Sequence, residues 1–213
     1  MRRMGQWQRG LSRHIRDNLV LYLVLLFLLV AGLVAGIATA SRIDEAQRME
    51  LGVYLGNVAT AAQAEQVRAI DVFWQSALSS LHVAVLMLVS ASALPLLALG
   101  CCAMAFQGFT LGFTITTFVW LYGWRGIMMG LGMLLVPHLL LWLCYMEMGA
   151  TAAQYALASF RMRRQGRRLA DPQKMRSELF IRMLVLYAIC VGIGLLHMAL
   201  APQLMRLLPQ VQY

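Results

Sequence analysis

The chain is 213 residues long, 61% hydrophobic and only 13% charged, with a mean hydropathy of +0.68 and a formal net charge of +9. A water-soluble domain carries about 25% charged residues, so this composition excludes an ordinary soluble enzyme and points to an all-α, polytopic integral membrane protein. The basic excess gathers in two clusters beside apolar runs, which fits membrane topology and anionic lipid headgroups, and no nucleic-acid partner is expected.

Residues 1–17 form a basic segment in which Arg2, Arg3, Arg9, Arg13 and Arg16 oppose only Asp17. Asp17 and Arg42 then bracket 24 uncharged residues. About 20 apolar residues cross the hydrocarbon, so 18–40 is a first transmembrane helix. It is too long for a signal-peptide core of about 7–15 residues. Residues 41–76 form a loop with three arginines against Asp44, Glu45, Glu50, Glu65 and Asp71. Leu51, Val53, Leu55 and Val58 within it predict one or two amphipathic helices lying on the membrane. Tyr54, Phe73 and Trp74 suit the headgroup level.

From Asp71 to Arg125 lie 53 uncharged residues, enough for two spans over 77–99 and 102–122. Pro95 and Gly100 place the turn between them near Leu99–Ala103. Arg125 and Arg161 enclose 35 residues in which Glu147 is the one charge, read as a fourth span over 127–158. A helix covering all 35 would be about 52 Å long against a hydrocarbon core of ~30 Å. Pro137 is therefore expected to kink or divide it. Segment 159–177 is basic again, with Arg161, Arg163, Arg164, Arg167 and Arg168. The 23 uncharged residues between Arg182 and Arg206 supply a fifth span over 179–201, followed by a tail, 202–213.

The positive-inside rule places both basic segments in the cytoplasm. Four crossings fit between them, so the N-terminus is cytoplasmic, loop 41–76 is external, and the fifth crossing leaves the tail external.

Small residues recur four apart at Gly32 and Gly36, Gly108 and Gly112, and Gly126 and Gly130. That spacing lets helix backbones approach closely inside lipid. These glycines are candidates for packing within the chain or against a partner, and an odd number of spans with such faces permits a homodimer. Glu147 shares a helix face with Thr151 and Gln154 by their offsets of four and seven. The stripe is expected to bond a facing helix, with Gln107 of the preceding span as the candidate partner. His138 lies half a turn out of phase with Glu147, so the two do not form a catalytic pair. A transport pathway lined by Glu147, Gln107 and the histidines is the alternative reading.

Cys101, Cys102, Cys144 and Cys190 all lie in apolar runs, which fits buried apolar residues better than a disulfide framework or zinc site. There is no HExxH, no nucleophile turn, no P-loop and no dinucleotide fingerprint. No catalytic residue, metal ligand or cofactor is assigned, and the chain reads as a non-enzyme.

Five segments carry a family resemblance: "FWQSALSSLHVAVLML" (73–88), "QGFTLGFTITTFV" (107–119), "YGWRGIMM" (122–129), "VPHLLLWLCYMEMGA" (136–150) and "APQLMRLL" (201–208). In order and interval the chain resembles bacterial stage II sporulation protein M. The resemblance implies a scaffold for forespore engulfment in the mother-cell septal membrane. Its implied partners, besides membrane lipids, are stage II sporulation proteins D and P, which cut septal peptidoglycan. Loop 41–76 and the Gly108–Gly112 face are the two candidate docking surfaces for them.

Overall fold

The computed structural model describes residues 18–63, 69–129, 136–164 and 172–205, and among them every regular element is helical. The helices are α1 (Leu19–Ser41), α2 (Glu45–Gln63), α3 (Ala69–Ser90), α4 (Leu97–Tyr122), α5 (Trp124–Met129), α6 (Val136–Arg164) and α7 (Pro172–Met205). A short 3-10 turn, Leu94–Leu96, precedes α4. Among the described residues four segments are long and apolar enough to cross a membrane: Leu19–Ser41, Phe73–Ser90, Leu94–Tyr122 and Gln173–Leu196.

Their outer surfaces agree with that. Phe27 is 71% exposed, and Leu23, Val34, Ile181 and Leu184 are also more than half exposed. Water does not tolerate such continuous apolar belts, whereas hydrocarbon does.

Pairwise contacts set the helix directions. Gly32 and Gly36 of α1 face Ala105 and Phe109 of α4, so these two helices run parallel. Gly100 packs on Met87 and Ser90, where α3 turns back into α4. Tyr145 meets Ser80 and Gly149 meets Met87, which makes α6 parallel to α3. Thr151 and Gln154 share a groove with Glu178 and Arg182, and Cys144 lies beside Cys190, so α7 runs antiparallel to α6. Hence α1, α4 and α7 point one way, and α3 and α6 the other.

Helix α6 sits in the middle, in contact with all four of the apolar helices. Its stretch Met148, Gly149, Ala150, Thr151 and Ala152 is buried throughout. Small side chains let neighbours close in around it, and a helix facing protein rather than lipid has no need of a lipophilic surface. This explains why α6 is as long as the others yet less apolar.

One expectation about local structure changes, and another is decided between its alternatives. The α3–α4 reversal lies at residues 91–96, not near Leu99–Ala103. Proline lacks an N–H and is tolerated in the first turn of a helix, so the break comes before Pro95. Ala93 is extended there, and the Ser90 hydroxyl bonds back to the Met87 carbonyl at 2.7 Å. Gly100 is instead a close-packing residue inside α4. Of the two alternatives for Pro137, division holds and the kink does not: Pro137 stands in the first turn of α6, and the short helix α5 precedes it as a separate element. The preceding residues divide differently: α5 follows Gly123, and 130–135 lie outside the described residues. Gly123 has φ 58°, a conformation that side chains disfavour, and it closes α4.

Candidate functional site

Each span of this chain carries either a thin glycine face or a polar side chain, and the structure brings these together in three places. The first is the seam between α1 and α4. A Cβ added to Gly32 would lie 1.9 Å from the Ala105 carbonyl oxygen, and one on Gly36 would lie 2.2 Å from that of Phe109. Reciprocally, a Cβ on Gly108 would lie 2.0 Å from the Leu29 oxygen, and one on Gly112 would lie 2.2 Å from that of Leu33. The four glycines thus interlock, backbone against backbone, at distances that admit Cα–H to carbonyl contacts. The Gly108–Gly112 face expected to be open to a partner is covered by α1.

Gly126 packs on the Phe118 carbonyl just past the α4–α5 reversal, where a Cβ would come within 2.1 Å. Gly130 lies outside the described residues.

The second place is Glu147. Its carboxylate accepts a hydrogen bond from the Tyr22 hydroxyl of α1. Gln107, the expected partner, is half-buried on α4, where its backbone carbonyl accepts from Thr110 at 3.0 Å. Tyr22 stands one turn into α1, and its neighbour Leu25 packs on Gly149. Glu147 therefore lies near the end of the bundle that holds the α3–α4 turn, not at mid-depth. Further along the same face, Thr151 is buried, and the Gln154 amide nitrogen is buried without a hydrogen-bond partner. Leaving such a donor unsatisfied costs about 1–3 kcal/mol. The Trp142 indole nitrogen is in the same state.

Several other polar groups in the bundle are satisfied. Ser80 and Tyr145 share a hydrogen bond of 3.1 Å between α3 and α6. The Tyr187 hydroxyl donates to the Ala77 carbonyl at 3.4 Å, joining α7 to α3. The threonines of α4 bond their own helix: Thr114 to the Thr110 carbonyl at 2.7 Å, Thr116 to that of Gly112 at 2.8 Å, and Thr117 to that of Phe113 at 2.9 Å. Such back-bonding hides hydroxyls from lipid without a second helix.

The third place is the junction of α2 with the bundle. The Arg48 guanidinium lies 4.1 Å from the centre of the Trp120 ring, and its Nε donates to the Ile43 carbonyl at 3.0 Å. This side chain clips α2 to the far end of α4. Met49, Val53 and Tyr54 remain exposed on α2.

Of the arginines expected to set topology, Arg161 and Arg164 are exposed in the last turn of α6, which also contains Arg163. Arg9, Arg13, Arg16, Arg167 and Arg168 lie outside the described residues. His82 is exposed and His138 is half-buried. Among the described residues no three His, Cys, Asp or Glu side chains are grouped to hold a metal. All four cysteines are free; Cys190 is buried, whereas Cys102 is exposed, against the expectation that all would be buried.

The sequence reading missed Tyr22, Tyr145, Ser80 and Arg48. One signal was available: after the leading Asn18, Tyr22 is the one polar side chain in the first span before Thr39. No family model, curated protein or solved structure matches the chain.

Proposed function

We propose that this chain is a non-enzymatic scaffold that crosses the membrane five times and holds other proteins there. The observation that carries the reading is how the polar groups inside the bundle are used. Glu147 is tied to Tyr22, Tyr145 to Ser80, and the α4 threonines to their own carbonyls. Groups engaged in this way fasten helices rather than wait for a substrate. Counting α6 as a crossing rests on its 29 residues, about 43 Å of helix, and on its central place. The N-terminus is then cytoplasmic and the tail external, as the basic segments require.

The resemblance to stage II sporulation protein M adds a setting: the mother-cell septal membrane during engulfment, with stage II sporulation proteins D and P as partners. With the Gly108–Gly112 face covered, α2 is the surface offered to them. It presents a shallow groove of about 310 Å³ lined by Tyr54 with Ile43, Gln47, Glu50 and Leu51.

Complementation tests the setting. In a sporulating bacterium lacking its own stage II sporulation protein M, this chain should restore engulfment and co-purify with proteins D and P. Replacing Met49 and Tyr54 together by aspartate should abolish co-purification while leaving the bundle folded. An inserted chain that restores nothing rejects the engulfment role. Solute flux or cell-wall cleavage by the purified chain in liposomes rejects the scaffold.

A transport role for Glu147 predicts loss of function in Glu147→Gln. The scaffold predicts retention, because the amide oxygen still accepts the Tyr22 hydrogen bond.

A further inference from the structure

A groove of about 200 Å³ opens between the last turns of α6 and the first turns of α7. Thr151, Gln154 and Tyr155 line it from α6, and Glu178, Leu179 and Arg182 from α7. Its volume is below the roughly 300–1,000 Å³ of sites for drug-sized ligands, and suits a small polar group.

Three observations bear on what that group is. The Gln154 amide nitrogen is buried beside the groove with no acceptor, an unfavourable state that a ligand oxygen relieves. Glu178 and Arg182 are four residues apart on α7, the spacing of a helical ion pair, yet neither is paired among the described residues. Both therefore offer their charge to the groove. Finally, their face of α7 continues as Val185 and Ile189, both exposed and apolar. Arg182 is also the last charge before the 23 uncharged residues of that helix. A polar recess thus passes into an apolar stripe where headgroups meet hydrocarbon.

The occupant must be an amphiphile whose head carries an anion and a cation side by side. Arg182 supplies donors for a phosphodiester, and the Gln154 amide joins it by turning its buried nitrogen towards the groove. Glu178 would repel an anionic head, but accepts from an ammonium two carbons further on. A primary ammonium, with three N–H donors, suits a carboxylate better than a quaternary one, which has none. We propose that this groove binds the headgroup of phosphatidylethanolamine, with its acyl chains along Val185 and Ile189.

The test uses the full chain purified in detergent and exposed to an equimolar mixture of phosphatidylethanolamine, phosphatidylcholine and phosphatidylglycerol with identical acyl chains. Native mass spectrometry reads the lipid retained. Wild type should keep phosphatidylethanolamine about fivefold over phosphatidylcholine, the effect of one charge contact at a membrane surface. Glu178→Gln should bring that ratio to about one while total lipid stays unchanged. Arg182→Gln should lower retention of both lipids. Glu178→Arg should turn the preference towards phosphatidylglycerol, which keeps the proposal testable if Arg182→Gln folds poorly. Equal retention of the three lipids by wild type overturns the proposal, as does an unchanged ratio in Glu178→Gln. Preference of wild type for phosphatidylglycerol reduces the groove to a basic surface and also overturns it. Soluble phosphoethanolamine that saturates the chain without lipid selectivity overturns the lipid source.

Discussion

The α1–α4 seam allows a quantitative test at Gly108. Alanine there places its Cβ 2.0 Å from the Leu29 carbonyl oxygen, which belongs to backbone and cannot rotate away. Carbon and oxygen sit comfortably at ~3.4 Å, so the helices must part by about 1.4 Å. A gap of 0.5–1 Å already forfeits about a quarter to a half of the dispersion attraction. Gly32, Gly36 and Gly112 would lose their contacts along with Gly108. Overpacking costs about 1–3 kcal/mol, and a clash with backbone belongs at the upper end. For a chain of this size each kcal/mol moves the melting midpoint by about 2–4 °C, so Gly108→Ala should fall by about 6–12 °C. Far-ultraviolet circular dichroism during heating in detergent reads this directly. Gly192→Ala is the control, because nothing lies within 4 Å of its Cβ. It should hold or gain stability through helix propensity. If Gly108→Ala melts within about 2 °C of wild type, the close approach of α1 and α4 is wrong.

Three further outcomes are expected. A double-mutant cycle of Tyr22→Phe and Glu147→Leu, each of which removes the hydrogen bond, should yield in denaturant a coupling of about 0.6–1.7 kcal/mol, the range for polar contacts between membrane helices; a coupling of zero removes Glu147 from the packing. Arg48→Ala loses its contact with Trp120, about 0.5–1 kcal/mol. Hydrogen exchange should then quicken over α2 and stay unchanged in the middle of α1 and α4, and an unaltered α2 would show that Arg48 does not clip it. Copper phenanthroline should join Cys144 to Cys190, so that trypsin cleavage at Arg167 and Arg168 leaves the halves linked. Separation of the halves would refute the pairing of α6 with α7.

Much of this architecture is visible in the charge spacing. The runs bounded by Asp17 and Arg42, and by Arg182 and Arg206, contain all of α1 and the apolar part of α7. The four-residue glycine spacing marks both sides of the seam, because only a face without side chains admits backbone contact. It does not say which glycine face meets which, since any thin helix fits another. Glu147 shows the same limit. Its burial predicts a partner, but Gln107 and Tyr22 are chemically equivalent answers, and helix rotation decides between them. The α3–α4 turn was legible in Pro95, had proline been read as opening a helix rather than closing one. The low hydropathy of α6 follows from its central position, which no local pattern encodes.

The order in which the seam's halves are made has its own consequence. Gly32 must find Ala105, and the ribosome adds about 5–20 residues per second, so the first helix waits roughly 4–15 s for its mate. During that interval its notched side faces only lipid or whatever else the membrane presents. A second nascent copy synthesised on the same message can reach it first, and exchange of the first helix between two copies is the misassembly this layout invites.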